Sequence, residues 1–583
     1  MGRREARITG GMGELGCFKA MVLLAAICML PACVEGSLQD EPQDPDSEVT
    51  KRPNILLVVA DDLGYSDLGS YGGEIETANL DQLASEGVRL SNFHSAPTCS
   101  PTRSMIMSGT YNHEAGLGAM SEWMADNQRG KPGYEGFLND RVAALPALLR
   151  DAGYYTFMAG KWHLGMTPDR GPQARGFEDS IAMLPGAGSH YLQRGISSRL
   201  TLVPYAENGR EFTLPENFYS TEFYTDRAIA YIDKSRDNPD RPFFGYVAYT
   251  APHWPLQVDR RYSDKYRGRY ASGYEVLKSE RLERMIEKGI VGQDVQPSAA
   301  NACNRSWDEL DPQEKLRQAR FMEVYAGMVD ALDENFGRLI NHLKAVGEYD
   351  NTLIIFISDN GADARPPQGL GGESDYVSQN FDNSLENIGE PNSFVSYGSA
   401  WAEVGSYPFR LHKGMTTEGG IRVPAIMRLP GQVSGGGVHH SFMSVLDLMP
   451  TFLEVAGAEH PGTSYDGREV LPMRGRSMLG VLAGDSDSAG SEVPFGFSVH
   501  RRQGLQFGPW KIVRLPESYG SGSWMLYHLE SDPGETSDLS ASHPGVAAEM
   551  VERWDHFSTN TGVVVAEEAA RVPRECESFS REL

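Results

Sequence analysis

The chain has 583 residues and a net charge of −26 at pH 7, with 79 acidic and 53 basic side chains. This length exceeds what one hydrophobic core usually organises, so we expect one large domain and a smaller one. A surface this acidic repels nucleic acid, which excludes nucleic acid as the main partner. Clustered carboxylates instead favour a hard cation such as Ca²⁺.

The beginning of the chain predicts export. Residues 20–32 are apolar, a stretch too short for a transmembrane helix and typical of the hydrophobic part of a signal peptide. Leu30-Pro31-Ala32-Cys33 is similar to a bacterial lipobox, which would lipidate Cys33, but its Pro is unusual and cleavage without lipidation is the alternative. We therefore expect a signal peptide over residues 1–33 and a flexible polar tether over residues 34–51. The protein would be periplasmic or a membrane-anchored lipoprotein.

The first strand of the folded part ends in two acidic residues. Residues 54–60 are all apolar after Asn54, which predicts a parallel strand buried on both faces. Asp61 and Asp62 follow directly. Adjacent carboxylates after a buried strand need a cation or hydrogen-bond donors, and the alternative is a turn with solvated acids.

A cysteine stands where a helix is predicted to begin. In Cys99-Ser100-Pro101-Thr102-Arg103, Ser100 suits the N-cap and its Pro suits the first helical position, and the helix would stop at Gly109. Free N–H groups and the positive end of the helix dipole would then face Cys99 and favour an anion there. A buried Cys in a tight turn is the alternative.

Two later strands also lead into polar residues. A strand over residues 154–159 precedes Gly160-Lys161-Trp162-His163-Leu164-Gly165, where the i, i+2 spacing puts Lys161 and His163 on one side of an extended segment. A strand over residues 243–249 precedes Thr250-Ala251-Pro252-His253-Trp254-Pro255, where a Pro on each side would hold the imidazole of His253 at a fixed angle. Ordinary surface or packing loops are the alternative in both cases.

The middle of the chain repeats the strand-end pattern. A strand over residues 352–358 ends at Asp359-Asn360, and two strands that end in oxygen ligands can share one Ca²⁺. Residues 259–320 resemble no core element, and we expect an excursion over the mouth of the pocket. Residues 361–405 read as a loop that shapes substrate choice, and Lys413 lies shortly after them.

The order of the elements predicts the fold class. Alternating strands and helices with polar residues after strand ends predict an α/β fold whose mostly parallel sheet carries a site at its carboxyl edge. Residues 461–567 change to short strands over residues 495–499, 510–514 and 525–529 with a final helix, which predicts a small antiparallel sheet. Residues 568–583 read as a disordered tail.

The motif Cys99-Ser100-Pro101-Thr102-Arg103 resembles the signature of the type I sulfatases, the formylglycine-dependent sulfate ester hydrolases. Gly160-Lys161-Trp162-His163-Leu164-Gly165 is similar to the second signature of that family, and the runs over residues 131–136 and 382–389 look most like bacterial arylsulfatases of broad substrate range. The resemblance implies an alkaline-phosphatase-like catalytic domain over residues 52–460. It also implies hydrolysis of sulfate monoesters to an alcohol or phenol and sulfate.

The resemblance further implies a role for each site residue. A formylglycine-generating maturation enzyme would oxidise Cys99 to an aldehyde, whose hydrate is the nucleophile. Asp61, Asp62, Asp359, Asn360 and residue 99 would bind one Ca²⁺. By the same resemblance, Arg103 would hold the diol, Lys161 and Lys413 would bind sulfate oxygens, Asp359 would activate the nucleophile, His253 would protonate the leaving group, and His163 would deprotonate the second hydroxyl so that sulfate is expelled.

Two other functions remain open from the sequence. A phosphomonoester or phosphonate hydrolase could use the same scaffold, since a Ca²⁺ site with lysines also suits phosphoryl transfer. A lipoprotein that binds sulfated ligands without turnover would need Cys99 to stay unmodified. The substrate could be an aryl, alkyl or sugar sulfate. Outside the leader and Cys99, only Cys303 and Cys576 remain that could form a disulfide with each other.

Overall fold

The computed structural model describes residues 51–365, 374–432, 435–484 and 493–567. The predictions for the signal peptide, the tether, Cys33, Cys576 and the tail lie outside these residues. Cys303 takes part in a disulfide. No helix in the described ranges combines the length and apolarity needed to cross a membrane.

Short and long strands alternate with helices along most of the chain. The strands are β1 Asn54–Ala60, β2 Val88–Leu90, β3 Phe93–His94, β4 Tyr155–Lys161, β5 Asp179–Met183, β6 Arg194–Ser197, β7 Leu200–Leu202, β8 Tyr205–Glu207, β9 Arg210–Phe212, β10 Phe243–Ala248, β11 Thr352–Ser358, β12 Arg422–Val423, β13 Ala425–Arg428, β14 Gly437–His439, β15 Met443–Ser444, β16 Ser464–Tyr465, β17 Arg468–Glu469, β18 Phe495–Val499, β19 Arg502–Phe507, β20 Trp510–Arg514 and β21 Trp524–His528.

The helices range from single turns to a helix of 34 residues, α7. They are α1 Ala78–Glu86, α2 Cys99–Ser108, α3 Leu145–Asp151, α4 Ser220–Ser235, α5 Arg260–Ser263, α6 Tyr274–Glu287, α7 Pro312–Ala345, α8 Ser374–Asn380, α9 Gly398–Ser406, α10 Glu418–Ile421, α11 Leu448–Ala456, α12 Leu479–Leu482 and α13 Pro544–Thr561.

The large sheet has ten strands in the order β14-β2-β13-β11-β1-β10-β4-β5-β8-β9. Its five central strands, from β11 to β5, are parallel. Strands β13 and β8, which flank this centre, run antiparallel to it. The α/β class is confirmed, and the sheet is mixed because antiparallel strands extend both sides of the parallel centre.

Both faces of the large sheet are covered, as continuous apolar strands require. Leu56 and Val58 of β1 pack with α1, α4 and α7 on one face. Ile55 and Leu57 pack with α2, α3 and α11 on the other face. The sheet is therefore a buried middle layer, and its polar residues can collect only at the strand ends.

The C-terminal part forms the expected antiparallel sheet. Strands β18 to β21 pair in sequence order, and α13 packs against them. Apolar side chains of this sheet, such as Leu505 and Ile512, join the same core as Ile55 of the large sheet. The division into domains at residue 460 stays a prediction.

Two expectations about the loops are wrong. The segment over residues 259–320 was expected to contain no core element, yet Tyr262, Tyr274 and Trp307 are buried in the main core. The spacing of these aromatic residues among charged ones hid an apolar face. The segment over residues 361–405 was expected to be a loop, yet it contains the helix α9. Trp401 and its apolar neighbours pack this helix into the main core.

Candidate active site

Two parallel strands bring their acidic ends together at one edge of the sheet. Ala60 of β1 pairs with Ser358 of β11, so the residues that follow each strand are neighbours. The backbone N–H of Asp62 donates to Asp359 Oδ1 at 3.3 Å. Asp62 has a φ of 68°, a left-handed conformation that turns its carboxylate toward the second strand end. The predicted convergence of Asp61, Asp62, Asp359 and Asn360 is thus present in the structure.

Cys99 faces these carboxylates from the first position of α2. Its Sγ lies 3.5 Å from Asp61 Oδ1 and 3.8 Å from Asp62 Oδ1. The helix begins two residues earlier than the sequence predicts, with Thr98 rather than Ser100 at the N-cap, and it ends before Gly109 as predicted. Burial and the charge of Asp359 raise the pKa of the Cys99 thiol well above its usual value. Cys99 is therefore a neutral thiol, which is a poor nucleophile.

Two buried lysines pair with the two adjacent carboxylates. Lys161, the last residue of β4, donates to both oxygens of Asp61 at 2.9 and 2.7 Å. Lys413 donates to both oxygens of Asp62 at 2.6 and 2.8 Å. Burial lowers the pKa of each lysine, but the neighbouring carboxylates raise it more, so both remain charged.

A glycine lets β4 deliver Lys161 to the site. Gly160 has a φ of +123°, and a Cβ at this position would lie 1.9 Å from the carbonyl oxygen of Ala248 in β10. Only a residue without a side chain allows this approach of the two strands. Lys161 follows immediately, so this close packing fixes where its side chain leaves the sheet.

Arg103, one turn into α2, fixes the second acidic strand end. Its Nε donates to Asp359 Oδ2 at 2.9 Å, and its Nη1 donates to the carbonyl oxygen of Lys161 at 3.0 Å. Burial raises the pKa of Asp359, but the charges of Arg103 and Lys161 lower it more, so the net shift is downward. Asp359 is therefore an ionised carboxylate in the centre of the site.

The two histidines stand on different sides of this centre. His253 Nε2 lies 3.5 Å from Asp62 Oδ2, and its Nδ1 is 2.5 Å from the carbonyl oxygen of Trp254. Burial and the charges of Lys413 and Lys161 lower the pKa of His253 well below its usual value. The imidazole is thus neutral in the free site, and a bound anion that offsets the lysine charges would favour its protonation.

One ring nitrogen of His163 has a hydrogen-bond partner, and the other has none. Its Nε2 lies 3.1 Å from Glu122 Oε1, and its Nδ1 is buried without a hydrogen-bond partner. Burial lowers the pKa of His163, and Glu122 partly offsets that shift. If Nε2–H donates to Glu122, the lone pair of Nδ1 is free to accept a proton.

The oxygen atoms at the strand ends fit a hard divalent cation. The side-chain oxygen of Asn360 is buried without a hydrogen-bond partner, while its amide nitrogen donates to Asp62 Oδ1 at 2.7 Å. Ligand atoms of Asp61, Asp62, Cys99 and His253 all lie within 4.8 Å of one another. Asp359 and Asn360 are outside that group but adjoin it through their contacts with Asp62. Carboxylate and amide oxygens of this kind are the ligands that Ca²⁺ prefers.

Three residues beside the site were not predicted from the sequence. Glu122 partners His163, and Asp363 lies 3.0 Å from Lys413 Nζ. Arg365 lies between two tryptophan rings at the edge of the site. Asp363 and Arg365 follow Asp359-Asn360 so closely that their position offered a signal. Glu122 offered none, because a turn distant in sequence brings it to His163.

The comparisons with known proteins agree with this geometry. The family model described as Sulfatase matches residues 53–458, and the model described as N-sulphoglucosamine sulphohydrolase, C-terminal, matches residues 409–557. An uncharacterised sulfatase of Schizosaccharomyces pombe is 44% identical over 89% of this chain and 95% of its own length. An arylsulfatase of Klebsiella aerogenes is 38% identical over 74% of this chain and 92% of its own length.

Solved structures share the fold. The crystal structure of Ps i-CgsB in complex with k-i-k-neocarrahexaose is similar with a TM-score of 0.63 and 25% identity, over 91% of this chain and all of that one. The phosphonate monoester hydrolase of Agrobacterium radiobacter is similar with a TM-score of 0.52 and 19% identity, over 88% and 96% of the two chains. At that identity the second likeness shows the fold alone.

Proposed function

The chain belongs to the sulfatase family of sulfuric ester hydrolases, and from this premise we propose that it hydrolyses sulfate monoesters, aryl sulfates among them, with residue 99 as the nucleophile. One observation carries the proposal: Cys99 lies within 3.5–3.8 Å of Asp61 and Asp62 at the start of a buried helix. Lys161 and Lys413 flank the same carboxylates. The site thus combines a reactive position, an oxygen-rich cation site and two fixed positive charges.

We propose that Cys99 acts after oxidation to formylglycine by a maturation enzyme. The unmodified thiol is neutral and buried among carboxylates, so it would attack an anionic ester poorly. A hydrated aldehyde has two hydroxyl groups, one to attack sulfur and one to drive the release of sulfate. Asp359, which Arg103 keeps ionised, is the base that takes the proton of the attacking hydroxyl.

The positive groups of the site would neutralise the sulfuryl oxygens. Lys161 and Lys413 are buried and charged, so each can donate to a sulfate oxygen once a cation shares Asp61 and Asp62. Asp61, Asp62, Asp359, Asn360 and residue 99 are the residues that would hold Ca²⁺. When bound, the cation supplies further charge neutralisation at the ester oxygens.

The histidines would move the protons of the two half-reactions. His253 lies beside Asp62 and, once a sulfate ester offsets the lysine charges, donates a proton to the leaving alkoxide or phenoxide. His163 keeps its Nδ1 open and takes the proton of the second hydroxyl, so that the aldehyde forms again and sulfate leaves. The partner Glu122 supports this by fixing the ring.

The substrate range and location are proposals of the same kind. A structural neighbour is in complex with k-i-k-neocarrahexaose, so a sulfated sugar is a candidate substrate beside aryl and alkyl sulfates. The leader over residues 1–33 supports export to the periplasm, with a lipid anchor at Cys33 as one outcome of processing.

The deciding experiment compares an aryl sulfate with the matched aryl phosphate. The protein is produced together with a formylglycine-generating enzyme and assayed with Ca²⁺, and kcat/KM is measured for 4-nitrophenyl sulfate and 4-nitrophenyl phosphate. We expect a preference for the sulfate. A preference for the phosphate would reassign the site to a phosphomonoester or phosphonate hydrolase.

Mass spectrometry tests the nucleophile independently. The peptide that contains residue 99 should carry an aldehyde in the active preparation, and Cys99 alone should remain after production without the maturation enzyme. Full activity with an entirely unmodified thiol would contradict the proposed mechanism.

A further inference from the structure

One cation at the edge of the site takes no part in the proposed reaction. The guanidinium of Arg365 lies 4.4 Å from the ring centre of Trp123 and 4.5 Å from that of Trp254. Two indoles in cation–π contact hold the planar group in place, at a side-chain exposure of 15%. Arg365 is thus a fixed charge rather than a mobile surface side chain.

The positive charge of Arg365 is only partly balanced. Its nearest carboxylate, Asp363, has an oxygen 3.8 Å from Arg365 Nε, too long for a hydrogen bond. That carboxylate is already engaged by Lys413 at 3.0 Å and by Trp254 Nε1 at 3.2 Å. Within the described ranges, the guanidinium nitrogens of Arg365 donate no hydrogen bond. Indole faces attract the cation but cannot accept the directed hydrogen bonds of a guanidinium fork.

The position of this charge is on the leaving-group side of the site. Trp254 follows His253 directly, and the two rings are 5.0 Å apart. His253 must contact the ester oxygen that it protonates, so the leaving group lies beside His253 and Trp254. Trp123 belongs to the one-turn helix Ser121–Trp123, which also carries Glu122, the partner of His163. Arg365 and the two tryptophans that hold it, which we call the Arg365 clamp, therefore border the reaction centre and are not a separate surface patch.

We propose that Arg365, clamped by Trp123 and Trp254, is a subsite for a second anionic group on the leaving group of the substrate. The inference rests on the proposed sulfatase function and narrows its substrate class to sulfate esters with a further carboxylate or sulfate. The guanidinium fork fits either anion with two hydrogen bonds. With a net charge of −26, the protein needs such a local cation to attract a doubly charged substrate.

The test compares two esters that differ only in this second charge. 4-Carboxyphenyl sulfate carries a carboxylate, and 4-carbamoylphenyl sulfate carries a neutral group of similar shape. The ratio of their kcat/KM values is measured for the mature wild type and for Arg365→Gln. Because the ratio is taken within each protein, the difference in intrinsic reactivity between the two esters cancels when the ratios of the two proteins are compared. We expect the ratio to fall about 10–100-fold in Arg365→Gln, as the loss of hydrogen bonds to a charged group predicts.

Two further variants separate a subsite from a structural role. Arg365→Lys keeps the charge without the fork and should retain an intermediate ratio. Arg267→Gln removes an exposed arginine that pairs with Asp264, and it should leave the ratio unchanged. An unchanged ratio in Arg365→Gln, or an equal loss for both esters, would overturn the proposal.

A binding measurement keeps the test independent of turnover. Calorimetry on Cys99→Ala gives dissociation constants for both esters, and Arg365→Gln in this background should weaken binding of the carboxylate ester alone. If the wild type cleaves neither ester while this difference persists, the proposed function fails and the subsite stands. Equal binding of both esters in the presence of Arg365 would refute the subsite.

Discussion

Two clusters of buried charged side chains in this protein are built from similar residue types but have different surroundings. The site cluster contains Asp61, Asp62, Asp359, Lys161, Lys413 and Arg103 at the carboxyl edge of the large sheet. The Glu418 cluster contains Glu418, Glu535, His94 and Lys511 and joins α10 to the C-terminal sheet.

The Glu418 cluster is sealed from solvent, since the side chains of all four members are 0% exposed. Glu418 Oε1 lies 2.7 Å from Lys511 Nζ, and its Oε2 lies 3.0 Å from His94 Nε2. Glu535 shares the same lysine at 2.9 Å and accepts the backbone N–H of Glu418 at 2.8 Å. Burial raises the pKa of Glu418, but the charges of Lys511 and His94 lower it more, so the net shift is downward.

The site cluster reaches the surface, since the side chains of Lys413 and the neighbouring His253 are 5% and 7% exposed. Burial raises the pKa of both Asp61 and Asp62 in spite of their lysines. The side-chain oxygen of Asn360 also has no partner. Burial likewise raises the pKa of Glu535, and His94 Nδ1 has no hydrogen-bond partner. The comparison therefore teaches that access distinguishes the two clusters: charges that reach the surface can receive a ligand, whereas sealed ones hold the fold together.

The largest effect should come from the reactive position of the site cluster. Cys99→Ala removes the atom that becomes the nucleophile and should lower kcat by about 10⁴-fold or more. The thermal unfolding midpoint should change little. Ser108→Ala, at the other end of α2, is the matched control and should keep its activity. Turnover by Cys99→Ala comparable with the wild type would reject residue 99 as the nucleophile.

The next effect should be on stability and should come from the Glu418 cluster. Lys511→Met leaves two buried carboxylates without their cation and should cost about 3–5 kcal/mol of unfolding free energy, measured by denaturant titration. Adding Glu418→Gln and Glu535→Gln to Lys511→Met should recover part of the loss. Activity per folded molecule should stay near the wild-type value, and a selective loss of kcat would show that this cluster also serves the chemistry.

Lys413 of the site cluster should affect the rate of catalysis more than the stability of the fold. Lys413→Met removes one donor to the sulfuryl oxygens and should reduce kcat/KM by about 10²–10³-fold. Steady-state kinetics with Ca²⁺ present measure this effect, while circular dichroism checks the fold. A reduction no greater than that of Lys511→Met would mean that Lys413 does not contact the substrate.

The smallest predicted effect is the increase in unfolding free energy when Ca²⁺ binds. Ca²⁺ at about 100 times its dissociation constant should raise the unfolding free energy by about 2.7 kcal/mol over a chelated sample. Asp61→Asn should abolish this shift, and Lys511→Met should retain it. An equal shift in Asp61→Asn would place the cation elsewhere.

Much of the architecture follows from local sequence pattern. The strands Asn54–Ala60 and Thr352–Ser358 begin and end where continuous apolar runs predict, because a strand buried on both faces excludes polar residues. The sequence also predicted that Asp61, Asp62, Asp359 and Asn360 meet, since residues that follow neighbouring parallel strands lie at the same edge of the sheet. The motif around Cys99 identified the family, which the comparisons confirm.

Only the tertiary structure decided how distant segments meet. Strand Arg502–Phe507 escaped prediction because its polar and Gly residues show no alternation, and its neighbours β18 and β20 stabilise it. Glu122, the Arg365 clamp and the Glu418 cluster each join residues far apart in the chain. Their pairing depends on burial and on the exclusion of water, which local spacing does not encode. The sequence therefore determined the central strands and the family, and packing decided which charges are sealed in the core and which reach the surface, where a ligand can enter.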